Sequence, residues 1–124
     1  MHAYAKNSFK LQTKDKSGVS LLQHLQTAAP YEPQAKAELD EYLSISLPEE
    51  MVEYWYDFLE IRSRIPSSEN GPNPIDFVQY THWANINQVN LTTLHQDIIF
   101  GLDSIWMNVQ YENMKKNMPK GKGK

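Results

Sequence analysis

Residues 48–65, PEEMVEYWYDFLEIRSRI, decide how the rest of this chain is read. Met51, Trp55, Phe58 and Arg62 recur at spacings of four, three and four, which is one face of a helix. Val52, Leu59, Ile61 and Ile65 widen that face. Ser46 with Glu49 fits a capping box, Pro48 suits a first helical turn, and Pro66 ends the run. Burying Trp55, Phe58 and Leu59 is worth about 1.5–3 kcal/mol each, so the core is expected to centre on this helix.

Working outward, the polar loop 67–74, SSENGPNP, carries the turn signal Asn70-Gly71-Pro72. Asp76 with Gln79 predicts a capped helix to about Asn87, with Phe77, Tyr80, Trp83, Ala84 and Asn87 at helical spacing. A turn at 88–91 leads to Thr92 and Thr93, either of which can cap a last helix running to about Lys116; Thr93 with Gln96 fits a capping box. Leu94, Ile98, Leu102, Ile105 and Val109 form its apolar stripe. Gly101 inside that stripe predicts a close helix crossing. Upstream, residues 18–29, GVSLLQHLQTAA, predict a helix capped by Ser17 and ended by Pro30, with Val19, Leu22, Leu25 and Ala29 on one side. A short helix is expected after Pro33.

These segments give an all-α fold: one small domain, a bundle of four to five helices. Residues 1–16 show no sustained period and are expected to be a flexible basic arm. Residues 17–116 form the helical domain, and residues 117–124, NMPKGKGK, a disordered tail. The predicted core is Trp55, Phe58, Leu59, Trp83, Ile98 and Leu102. Tyr54, Tyr56, Trp106 and Met107 lie off the stripes and are candidates for a protein-binding surface. Completing the core or an oligomer contact is their competing role.

At 124 residues, 40% apolar and 22% charged, the chain has the size and composition of one globular domain. It has no cysteine, hence no disulfide framework and no thiolate metal site, which suits a reducing cytoplasm. MHAYAKNSFK lacks the apolar run of a secretory signal, and no stretch is long and apolar enough to span a membrane. The net charge of −3 hides an asymmetry. Residues 31–103 carry three basic residues against thirteen acidic ones, while four lysines precede that span and five follow it. An acidic body repels phosphate, so nucleic acid is not an expected partner of the helical core.

No residue set has the pattern of a catalytic site. His24, His82 and His95 stand on three elements without metal-ligand spacing, so no metal or cofactor is expected. Gly71 has no glycine-rich, lysine-ending loop around it to cradle a phosphate. The helix–turn–helix outline from Asp76 to Trp106 lacks a basic recognition face, which leaves a small DNA-binding regulator as the weakest reading. Asp103 interrupts an apolar stripe; a buried carboxylate needs a partner, and a helix end or Arg62 is the expected one.

From about residue 17 to 110 the order of segments resembles a family of small proteins from the tail gene clusters of long-tailed bacteriophages, labelled tail assembly chaperones. The residues that carry the resemblance are Leu47-Pro48, Trp55, Phe58, Arg62, Gly71-Pro72, Pro74-Ile75, Trp83, Leu91-Thr92 and Leu102-Asp103. The chain departs from the pattern at His95, where the family usually has Glu, and in its basic first arm. The resemblance implies a non-enzymatic protein of the host cytoplasm that holds the helix-rich tape-measure protein in solution while the tail forms. The alternatives to that role are an adaptor retained in the virion or a module that self-associates as a homo-oligomer. The lysine- and glycine-rich end further suggests purine-rich codons of the kind that support a programmed frameshift.

Overall fold

Six α-helices build residues 1–117, those that the computed structural model describes: α1 (His2–Gln12), α2 (Leu21–Ala28), α3 (Pro33–Leu43), α4 (Val52–Ser63), α5 (Phe77–Ile86) and α6 (Thr93–Asn117). A 3-10 turn, Glu49–Met51, leads into α4. Strands β1 (Ser67–Ser68) and β2 (Gly71–Pro72) pair antiparallel after it, Ser67 opposite Pro72 and Ser68 opposite Gly71. The chain is thus mostly helical, with six helices among the described residues where four or five were expected. From residue 118 on, the expected disordered tail lies outside the described residues. Among those described, no helix is long and apolar enough to cross a membrane.

The residues fall into two compact units, where the chain's size suggests one. Leu47–Met107, with Met1, form the first; His2–Ser46 and the residues from Asn108 on form the second.

In the second unit, the stretch expected as a flexible arm is helix α1, with Ala5, Phe9 and Leu11 buried. Eleven residues without an N-terminal cap are too short to hold a helix alone, so packing supplies what the local sequence does not. Leu11 joins Leu25 and Ala35 in a small apolar cluster, flanked by Leu21, Leu22, Ala28, Leu39 and Tyr42. Helix α2 starts three residues later than Gly18. Ser20, not Ser17, is its cap: the Ser20 hydroxyl accepts the Gln23 N–H at 3.2 Å, and Gln23 Oε1 accepts the Ser20 N–H at 2.9 Å. Ser17 belongs instead to a turn in which Gly18 takes a φ of +86°, open to glycine and strained for other residues. Pro33 stands in the first turn of α3.

Before the first helix of the first unit, the expected capping box at Glu49 does not form. Pro48 is extended, Glu49–Met51 wind as 3-10, and α4 begins at Val52 without a side-chain cap. Helix α4 ends at Ser63, because Pro66 forces the residue before it out of the helical region. Asp76 and Gln79 make the expected capping box on α5, and the Thr92 hydroxyl caps α6 by accepting the His95 N–H at 3.0 Å. Trp55, Phe58, Ile61, Trp83, Ile99 and Leu102 are buried. Leu102 and Val109 of the expected α6 stripe are buried, but in the first turns of the helix the buried face is turned by one residue from the one the apolar spacing suggests. Leu94 is 60% exposed and Ile98 half-buried, while His95, Ile99 and Asp103 are buried. Leu59 lies 39% exposed at the edge. Gly101 marks no close crossing: it is exposed, and a Cβ added there meets nothing within 4 Å.

Candidate functional site

Two polar clusters sit among the apolar side chains of the first unit. The Arg62 guanidinium, on α4, donates from Nη1 to Asp103 Oδ1 on α6 at 2.6 Å, and from Nη2 to the Asn73 carbonyl. Asp103 Oδ2 accepts the Ile75 N–H at 2.9 Å. Above the Trp106 ring, the Arg62 guanidinium carbon lies 4.0 Å from its centroid. Both members of the ion pair are buried, and among the described residues no fully buried side-chain nitrogen or oxygen lacks a hydrogen-bond partner. That pairing answers the sequence's question about Asp103: its partner is Arg62, and a backbone N–H of the loop before α5 completes it.

The second cluster is a chain of three side chains. Asp57 Oδ2, on α4, lies 3.0 Å from His95 Nε2, and His95 Nδ1 lies 2.6 Å from the Tyr80 hydroxyl. A carboxylate only accepts, so in the neutral ring Nε2–H faces Asp57 and Nδ1 takes the Tyr80 O–H. Tyr80 and Trp83 stack on the imidazole, with ring centroids 5.7 and 6.2 Å from it. Burial, and then the Asp57 charge, push the Tyr80 phenol above its ordinary range. An acid–imidazole–hydroxyl order is that of a nucleophile relay, but Tyr80 is fully buried and keeps its proton. The cluster ties α4, α5 and α6 together.

The residues picked out from the sequence scatter. Tyr56 is 63% exposed. Tyr54 is half-buried, its ring 5.6 Å from His95. Trp106 is half-buried under Arg62. Met107 belongs to the buried side chains rather than to a surface, because the turned face of α6 carries it inward. Of the three histidines weighed as metal ligands, His24 binds Asp15 in the second unit, His95 is occupied as above, and His82 is exposed. Among the described residues no group of three or more His, Cys, Asp or Glu is placed to hold a metal ion.

What the sequence did not single out is a groove of about 350 Å³ in the first unit. Ile61, Arg64 and Ile65 from the end of α4 and just beyond it face Gln79, His82, Trp83, Ile86 and Asn87 of α5 and its end. Its lining is mainly apolar, and the Trp83 indole N–H is turned to Glu60 Oε1 at 2.7 Å. The available signal was Ile61 and Ile65, one turn apart at the end of an aromatic helix.

Residues 32–108 match a family model described as phage tail assembly chaperone. Comparison with curated proteins and with solved structures gave no match.

Proposed function

The chain belongs to the phage tail assembly chaperone family, and from that premise we propose that it binds the tape-measure protein of the tail in the host cytoplasm and keeps it soluble until the tail closes around it. One observation carries the reading beyond the family match. Within the matched span, large apolar side chains stay in water: Tyr56, Phe77, Val78, Ile86 and Leu94. Single exposed apolar residues are ordinary, but Phe77, Val78 and Ile86 share one ten-residue helix. A long helical chain that exposes apolar stripes before assembly is a partner such a surface can cover.

Charge supports a protein partner over nucleic acid. Residues 47–107 carry nine acidic residues and two basic ones, Arg62 and Arg64, and Arg62 is already neutralised by Asp103. Tyr56 remains a candidate contact; Tyr54, Trp106 and Met107 act through packing.

The test is coexpression with the tape-measure gene of the same phage. The tape-measure protein is expected to move to the soluble fraction and copurify with this chain, and this chain is expected to be missing from finished tails. A tape-measure protein that stays insoluble and does not copurify refutes the reading.

A further inference from the structure

We propose that the groove of α4 and α5 seats one amphipathic helix of a tail-protein partner, whose apolar face fills the groove while a carboxylate on that face pairs with Arg64. The proposal rests on the chaperone reading above and deepens it by naming the surface and the partner's chemistry.

Three observations converge on it. The first is shape. A volume of about 350 Å³ accepts a few side chains from one face of a helix. Ile61, Ile65 and Trp83 line it, and Ile86, 67% exposed, extends the apolar surface to its edge. Val78, one turn before His82 on α5, is exposed as well.

The second is charge. The two arginines of the first unit are used in opposite ways. Arg62 is buried and engaged by Asp103, the Asn73 carbonyl and the Trp106 ring. Arg64, two residues on, is exposed and lines the groove, and among the described residues no carboxylate lies within ion-pair distance of it. Glu60, one turn before Arg64 on α4, is the nearest acid in sequence, and it is engaged by the Trp83 indole. An otherwise acidic unit thus holds one unneutralised guanidinium at the lip of its apolar groove. That position selects a partner with an acidic residue and disfavours one with a basic residue there.

The third is spacing. Ile61 and Arg64 are three residues apart near the end of α4, so they stand about one helical turn from each other. The partner's carboxylate accordingly stands about one turn from its apolar anchors, the i, i+3 or i+4 pattern of a helix laid in a groove.

The experiment titrates overlapping peptides of the tape-measure protein into the full chain, reading fluorescence for affinity and NMR shifts for location. A binding peptide is expected to carry an apolar stripe with an acidic residue beside it and to shift Ile61, Ile65, Trp83 and Ile86. Replacing that acid by lysine is expected to weaken binding about tenfold to the wild-type chain. Arg64→Glu is expected to weaken the unmodified peptide by about the same factor and to restore the lysine peptide. Ile86→Asp should weaken both peptides. Both substituted residues are exposed, so melting curves near wild type are expected, and the peptide substitution tests the pairing without any variant. If the wild-type chain solubilises the tape-measure protein but the variants bind its peptides unchanged, the groove assignment is wrong and the chaperone reading stands. If Ile86→Asp instead turns a dimer into a monomer with peptide binding intact, a second copy of this chain covers the groove and the proposal fails. If the wild-type chain neither solubilises the protein nor binds its peptides, both readings fall.

Discussion

Two ion pairs of similar length lie in the two units of this protein. Arg62 and Asp103 meet at 2.6 Å with both side chains buried, while Lys36 and Asp40, at 2.9 Å on α3, stand in water. The exposed pair spans one turn of one helix and contributes at most a few tenths of a kcal/mol. The buried pair joins residues 41 positions apart and is completed by two backbone groups. Similar length therefore says little about energy; surroundings decide it. The first unit fixes its helices to one another through buried polar clusters, whereas the second relies on a small leucine-rich cluster and on polar contacts in water.

The most severe test of that contrast removes one partner from each pair. Asp103→Ala leaves a buried guanidinium without its counter-charge and is expected to cost about 3–5 kcal/mol in urea denaturation. Asp40→Ala should change stability by less than about 0.5 kcal/mol. Comparable losses would mean that burial is not what separates the pairs. The double variant Arg62→Met, Asp103→Leu should recover much of the loss, since an apolar replacement of a buried pair is often tolerated.

Next in size is the Asp57–His95–Tyr80 chain. Tyr80→Phe keeps the ring and strands the buried Nδ1 of His95, with an expected loss of about 1–3 kcal/mol. A loss near zero would show that water replaces the phenol, and that the first unit is less closed than its burial suggests.

These clusters also show where the sequence was readable. The spacing of Trp55 and Phe58 located a buried face of α4, and the need of a buried carboxylate for a partner pointed from Asp103 to Arg62. On α6 apolar spacing found Leu102 and Val109 but missed the rest of the buried face. Two of the residues that face inward there, His95 and Asp103, are polar, and their partners come from α4 and α5, which no local pattern reveals. Helix α1 was missed for a related reason: it has no cap and little periodicity, and its packing partners follow it in sequence. The groove is equally non-local, since Ile61 and Trp83 become neighbours only once the loop between α4 and α5 has folded.

A smaller effect has the opposite sign. Gly101 lies exposed within α6 with open space where a Cβ would go, so Gly101→Ala is expected to stabilise the chain by about 0.5–1 kcal/mol. A loss instead would mean that something covers this face of α6 in solution. The midpoint of urea unfolding measures it directly.

The weakest effect belongs to the exposed turn of the second unit, and pH is its probe. Asp15 accepts the Ser17 hydroxyl at 2.6 Å, the Ser17 N–H at 2.8 Å and the Val19 N–H at 3.1 Å, and it lies 2.7 Å from His24 Nε2. The Ser17 hydroxyl, then His24, then the Val19 N–H hold its carboxyl well below the usual carboxylate range. A depressed folded-state pKa stabilises the fold above the unfolded value, near 3.8, and that contribution fades as pH falls below it. Asp15→Asn should therefore melt below wild type at neutral pH, and the gap should narrow on acidification. Because Asp15 and His24 are both exposed, any charge contribution to that gap should also shrink with added salt, while the short hydroxyl and amide bonds persist. A gap that ignores both pH and salt would assign the turn's stability to the +86° backbone of Gly18 rather than to the charge of Asp15.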